Sequence, residues 1–162
     1  MYEAFNDTRI TIETVQPEDF QAIGEIHAQS LKELYQGHMP PNAIRKLKPD
    51  RIASDWRESV ESGEEYIDFL VLKEKGQIVG FGVSLLETVN GAPEPKISEC
   101  HIAEDRRGLG YGKKLLNQML LSLSDQGYDS PILYVSTDNE RAQDVYRQMG
   151  AVIESEESHN II

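Results

Sequence analysis

The chain has 162 residues, 39% of them hydrophobic, with a single cysteine and a formal net charge of −12. That length suits one domain over 1–162, large enough to bury a core without staples, and one cysteine excludes an internal disulfide or a cysteine-built metal cluster. The acidity makes nucleic acid a poor partner for the general surface, and the sequence has no apolar run near the ~20 residues of a membrane span.

Positions 1–9 are polar and hold no apolar signal core, so a cytoplasmic, soluble protein is expected. A first strand is predicted over 9–15, where Ile10 and Ile12 alternate before Val15. Pro17, with Glu18 and Asp19 behind it, opens a helix. Phe20, Ile23, Ile26, Leu31 and Leu34 carry its spacing to about Tyr35. The segment 36–41 breaks that helix; a short helical piece over 42–47 and a longer helix from Pro49-Asp50 through Trp56 and Val60 follow. Trp56 reads as packing or as the wall of an acceptor pocket, and His38 as a solvated loop residue.

Strands over 66–74 and 77–87 form a hairpin around Lys75-Gly76, with Ile67, Phe69 and Val71 expected on one face. The stretch 88–95 reads as a loop and 97–103 as a strand. A helix then runs through Leu115, Leu116, Met119, Leu120 and Leu123. A short strand over 132–136 leads to a last helix from Asn139 carrying Ala142, Val145, Tyr146 and Met149. Gly150 stops it, Val152-Ile153 begins a final strand, and the tail is acidic through Glu154, Glu156 and Glu157. The order predicts a mixed α/β domain, antiparallel in its first half, with one right-handed parallel crossover.

The chain is organised around Arg106-Arg107-Gly108-Leu109-Gly110-Tyr111-Gly112-Lys113-Lys114, between a strand and a helix. Glycines let the backbone approach a ligand closely, and a helix start aims free N–H groups and the positive dipole end at it. Phosphate is the natural guest. Four of the sixteen Lys and Arg residues fall here, which points to a small anionic ligand in an acidic chain. The turn fits neither a P-loop, lacking Gly-Lys-Ser/Thr at the right spacing, nor the dinucleotide fingerprint, where Lys113 occupies the third glycine position.

A second cluster follows about 30 residues on, as one strand–helix–strand unit requires. Here the sequence resembles the GNAT superfamily of acyl-CoA-dependent N-acetyltransferases. Arg107, Gly110 and Gly112 match its Arg/Gln-x-x-Gly-x-Gly/Ala turn, and Asn139, Ala142 and Tyr146 its Asn-x-x-Ala-x-x-x-Tyr helix. The resemblance implies a GNAT-like fold in which the fourth and fifth strands splay apart, with acetyl-CoA as co-substrate and no metal. Backbone N–H groups of Arg107, Gly108, Leu109, Gly110, Tyr111, Gly112 and Lys113 would hold the pyrophosphate, with charge from Arg106, Arg107, Lys113 and Lys114. Pantetheine would pair with backbone near Ile102 and Ala103 and meet Asn139, and Tyr146 would protonate the departing thiolate.

Glu99 and His101, two apart on one strand, share a face, and either is a candidate base for the acceptor amine. Cys100 between them reads as a small buried side chain. The expected partner is a primary amine on a small molecule or peptide. A homodimer, in which a partner chain supplies the last strand, is a further expectation. The competing readings are a non-catalytic acyl-CoA-binding module on the same fold and a nucleotide-binding protein.

Overall fold

The structure, a computed structural model, describes residues 9–137 and 139–153. Ten elements follow along these residues: β1 (Ile10–Thr14), α1 (Phe20–Tyr35), α2 (Pro41–Ile44), α3 (Pro49–Glu61), β2 (Asp68–Glu74), β3 (Gln77–Val89), β4 (Ala92–Ile102), α4 (Tyr111–Asp125), β5 (Ile132–Leu133) and α5 (Glu140–Gln148). The strands form one sheet in the order β1-β2-β3-β4-β5. The first three pairings are antiparallel and β4–β5 is parallel. This is the mixed α/β architecture that the element order predicted. Among the described residues no helix is long and apolar enough to cross a membrane.

The sheet has an apolar layer on each face. On one, the α1 residues Phe20, Ile23 and Ile26 pack on Phe69, Val71, Phe81 and Val83. On the other, Leu115, Leu116, Met119 and Leu123 of α4 cover Leu70, Leu72, Ile97 and Ile102. Strand alternation produces the division, because successive side chains point to opposite faces. Ile67, expected beside Phe69, instead packs on the α4 side, since regular pairing with β3 begins only at Asp68. α1 starts from a 3-10 turn over Pro17–Asp19, where the Asp19 carboxylate accepts the Gln16 N–H at 2.8 Å.

Several boundaries differ from the sequence expectation. The stretch 88–95 is not a loop. β3 continues to Val89, the chain turns at Asn90-Gly91, and β4 begins at Ala92. The helical piece after the break is only Pro41–Ile44, and β5 only Ile132–Leu133. Val152 and Ile153 lie in no strand and are exposed. The acidic tail lies outside the described residues.

One irregularity positions the site. Val83 pairs with Glu99 and Ser84 with Ile97, so Ser98 is an extra residue in β4. Its hydroxyl donates to the Val83 carbonyl at 3.4 Å. A bulge bends its strand and re-aims the following side chains. Ile97 therefore packs on the α4 face, while Glu99, two residues on, turns toward α1. β5 pairs only with Lys96 and Ile97, so β4 leaves its neighbour where the bulge begins.

The crossing of α1 and α3 requires Gly24. A Cβ there would stand 2.4 Å from the Pro49 carbonyl oxygen and 2.7 Å from the Ala53 Cβ, so backbone would have to move. Alanine normally gains about 1 kcal/mol over glycine in a helix, whereas overpacking costs about 1–3 kcal/mol. Gly24→Ala is expected to give a net loss of stability in urea unfolding; a net gain would show that the helices do not approach so closely.

Candidate active site

The glycine turn expected to bind an anion is built where β4 runs into α4. A 3-10 turn over Glu104–Arg106 leads into Gly108 (φ 79°) and Gly110 (φ 83°), both in the left-handed region that glycine tolerates. Gly110 caps α4. The N–H groups of Gly108, Leu109, Gly110, Gly112 and Lys113 donate to no backbone carbonyl among the described residues. A Cβ placed on Gly110 would meet nothing within 4 Å, so the space over the helix start is open. Unused amides, a helix N-terminus and open space fit a diphosphate.

The charges around this turn are arranged differently from expectation. Arg106 pairs with Glu74 at 2.9 Å, and the same carboxylate accepts the hydroxyl of buried Tyr111. Arg107 donates to the Ile102 carbonyl at 3.1 Å and pairs with Glu33 of α1. Gln29 of α1 donates to Glu104 at 3.2 Å. The two arginines thus brace the turn. Lys113 is exposed in the first turn of α4, and Lys114 lies over the Tyr111 ring. A cation that sequence reasoning missed comes from α5: the Arg141 guanidinium lies 3.8 Å from where a Gly108 Cβ would be. Its position two residues after the helix-capping Asn139 was the only signal for it.

Beyond Ile97, β4 has no β5 partner on its outer edge. On that stretch the Ile102 carbonyl is held by Arg107, and the Ala103 N–H turns inward to Val79 at 2.8 Å. Asn139 caps α5, its Oδ1 accepting the Ala142 N–H at 3.1 Å, which leaves its amide N–H₂ to donate elsewhere. Tyr146 packs on the α4-side core with Cys100. Burial, with Cys100 and Glu99 close by, pushes the Tyr146 hydroxyl well above the usual phenol range. Burial also drives the Cys100 thiol up to about 12, so it stays a thiol at neutral pH and is no nucleophile.

A cavity of about 490 Å³ lies between α1, α3 and the sheet, with Glu99 in its lining. Glu99 Oε2 accepts from His101 Nε2 and lies 3.6 Å from His27 Nε2. His27 comes from α1 and was not anticipated. Its Nδ1 accepts the indole N–H of Trp56 at 2.9 Å. The ring also packs against His101 and Phe81, with centroids 5.1 and 5.6 Å away.

A model of the acetyltransferase (GNAT) family matches residues 28–151. The chain belongs to that family. Over 86 residues this GNAT chain is 34% identical to a mycothiol acetyltransferase of Paenarthrobacter aurescens (strain TC1), covering 51% of the chain and 26% of that protein. Over 131 residues it is 28% identical to a mycothiol acetyltransferase of Propionibacterium freudenreichii subsp. shermanii, covering 80% and 38%. It therefore spans well under half the length of those curated relatives. The PaiA N-acetyltransferase of Thermoplasma acidophilum, solved in complex with coenzyme A, shares the fold at TM-score 0.70 and 19% identity, over 91% of this chain and 92% of that one.

Within the GNAT fold the structure brings Glu99, His101 and Tyr146 to the β4 strand from its two faces, and sets the glycine turn at that strand's end. His27, Glu99 and His101 also offer ligand-type atoms within 4.8 Å of one another, the spacing of a metal site. The hydrogen bond from Trp56 argues against that use. An indole N–H only donates, so His27 Nδ1 must be unprotonated and its proton lies on Nε2, the atom facing Glu99. Ligation through Nε2 needs the opposite tautomer.

Burial lowers the pKa of His27 from its usual 6.5, with Glu99 opposing the shift. A His whose folded value is depressed stabilises the fold fully above the unfolded value, and loses that contribution as pH falls toward the folded one. Stability should therefore decline from about pH 6.5 downward. In His27→Gln, whose carbonyl still accepts from Trp56, urea midpoints between pH 7.5 and 5 should fall less steeply. A slope equal to that of the parent chain would show that His27 titrates as a free histidine.

Proposed function

We propose that the chain is an N-acetyltransferase that moves an acetyl group from acetyl-CoA to a primary amine by direct attack. The observation that carries this reading is the edge of β4 that no strand pairs beyond Ile97 among the described residues, with an anion-ready glycine turn at one end, Tyr146 against one face and Glu99 against the other. Acetyl-CoA supplies an activated acetyl thioester. The amides from Gly108 to Lys113 hold its diphosphate, with Arg141 and Lys113 adding charge. The outer edge of β4 and the Asn139 side-chain amide hold the pantetheine arm.

The amine enters from the cavity beside α1 and α3. Glu99 takes its proton, directly or through one water, while the His101 N–H keeps the carboxylate aimed and His27 Nε2 lies 3.6 Å from it. The new C–N bond forms as the C–S bond breaks, and Tyr146 gives its proton to the departing sulfur. The usual thiol pKa lies below that of a phenol, which would make this transfer uphill. Burial raises the neighbouring Cys100 thiol, and a site that excludes water disfavours a bare thiolate in the same sense, which favours its protonation. Positioning supplies much of the rest of the rate.

Tyr146→Phe is expected to lower turnover by about 10²-fold or more, with the KM for acetyl-CoA changed by less than about threefold. Free-thiol release measures both, and unchanged turnover would exclude Tyr146 as the acid. Gly110→Val places a β-branched residue at positive φ in the diphosphate cradle. Calorimetry should show acetyl-CoA affinity reduced by at least about tenfold; a normal dissociation constant would refute the cradle. Binding of acetyl-CoA with no thiol release for any amine would identify a non-catalytic module instead.

A further inference from the structure

The acceptor cavity carries more negative charge than acetyl transfer needs. Its size lies within the range of small-molecule sites. Glu99 alone meets the demand for a base, yet Asp55 of α3 and Glu64 also line the space, and no lysine or arginine does. Glu99 is the sheltered member, with 22% of its side chain exposed, whereas Asp55 and Glu64 are exposed. An acceptor with one ammonium group would occupy Glu99 and make no use of the other two carboxylates.

The same cavity is also lined by aromatic side chains that are held in place. Trp56 spends its indole N–H on His27, so its ring stands as a fixed wall. Tyr66 packs at 5.6 Å from Phe69 and shares its hydroxyl with Ser59, which also bonds Glu64. Glu64 is thus fixed at one point of the lining. Asp55 has no hydrogen-bond or ion-pair partner among the described residues. Aromatic faces attract cations and pack equally well on methylene groups. Carboxylates at separate points of an aromatic-walled cavity match a ligand with two positive ends and an apolar middle.

We propose that the acceptor is a small aliphatic amine with a second ammonium group: the reacting nitrogen goes to Glu99, the distal one to Asp55 and Glu64, and the spacer lies along Trp56 and Tyr66. The role given to Glu99 rests on the transferase reading; the charge match of the cavity does not. A neutral tail forgoes the attraction of Asp55 and Glu64, and an acidic tail is repelled. The site therefore selects against both.

The test compares 1,3- to 1,8-diaminoalkanes with pentylamine and 5-aminopentanoate, by thiol release with acetyl-CoA and by calorimetric titration. In the parent chain the best diamine should exceed pentylamine in kcat/KM by at least about tenfold, and 5-aminopentanoate should fall below pentylamine. In the double variant Asp55→Asn, Glu64→Gln, the diamine-to-pentylamine ratio should drop to about threefold or less. Each ratio is taken within one protein, so a general loss of activity cancels. Equal kcat/KM for diamines and pentylamine in the parent chain overturns the proposal, as does a ratio that the double variant leaves intact. If no amine releases thiol, the transferase reading fails. The titrations then decide this proposal alone: tighter binding of a diamine than of pentylamine, lost in the double variant, upholds it, and equal binding overturns it.

Discussion

One extra residue in β4 sets the geometry on which the site depends. Were Ser98 a regularly paired residue, Glu99 would lie on the same face as Ile97, against the apolar surface of α4. A carboxylate there would be desolvated and without a partner, at a cost of several kcal/mol. The bulge turns it to the opposite face, where it meets two histidines. β5 is two residues long and pairs with β4 only at Lys96 and Ile97, immediately before the bulge. The orientation of an acidic side chain thus follows from a single backbone irregularity, and the unpaired stretch of the β4 edge starts beside it.

The glycine turn is held by ion pairs that reach far along the chain. Glu74 at the end of β2 binds both Arg106 and Tyr111, and Glu33 of α1 binds Arg107. Tyr111 is buried at the first position of α4, so its bond to Glu74 locks the helix start as well as the turn. Backbone donors that already point at a ligand need not be ordered when it binds. Two of the four cations in the basic run therefore serve shape more than charge. The cation nearest the turn from outside that run, Arg141, arrives from the next helix.

Local chemistry made the donor side legible from sequence. Gly108 and Gly110 announce positive φ, Asn139 announces a helix cap, and Tyr146 keeps a fixed spacing from it. The acceptor side was less legible because its parts come from separate elements. His27 is on α1, Trp56 on α3 and Glu99 on β4, and no sequence spacing links them. The bulge was hidden as well, since 97–103 alternates plausibly in either register. Pro93 and Pro95 made 88–95 look like a loop, yet this end of β4 has β3 on one side and no β5 on the other. Proline is tolerated on such an edge, where its missing N–H breaks no ladder.

The chain contains a single tryptophan. Trp56 lines the cavity, holds His27 and meets Phe69 and Phe81 edge to face. All indole emission therefore originates at one place, on the acceptor side of the sheet and away from the glycine turn. The molecule carries a built-in optical reporter: events at Glu99 and along the cavity wall fall within its immediate surroundings, while the glycine turn is read only through motion of α1 or the sheet.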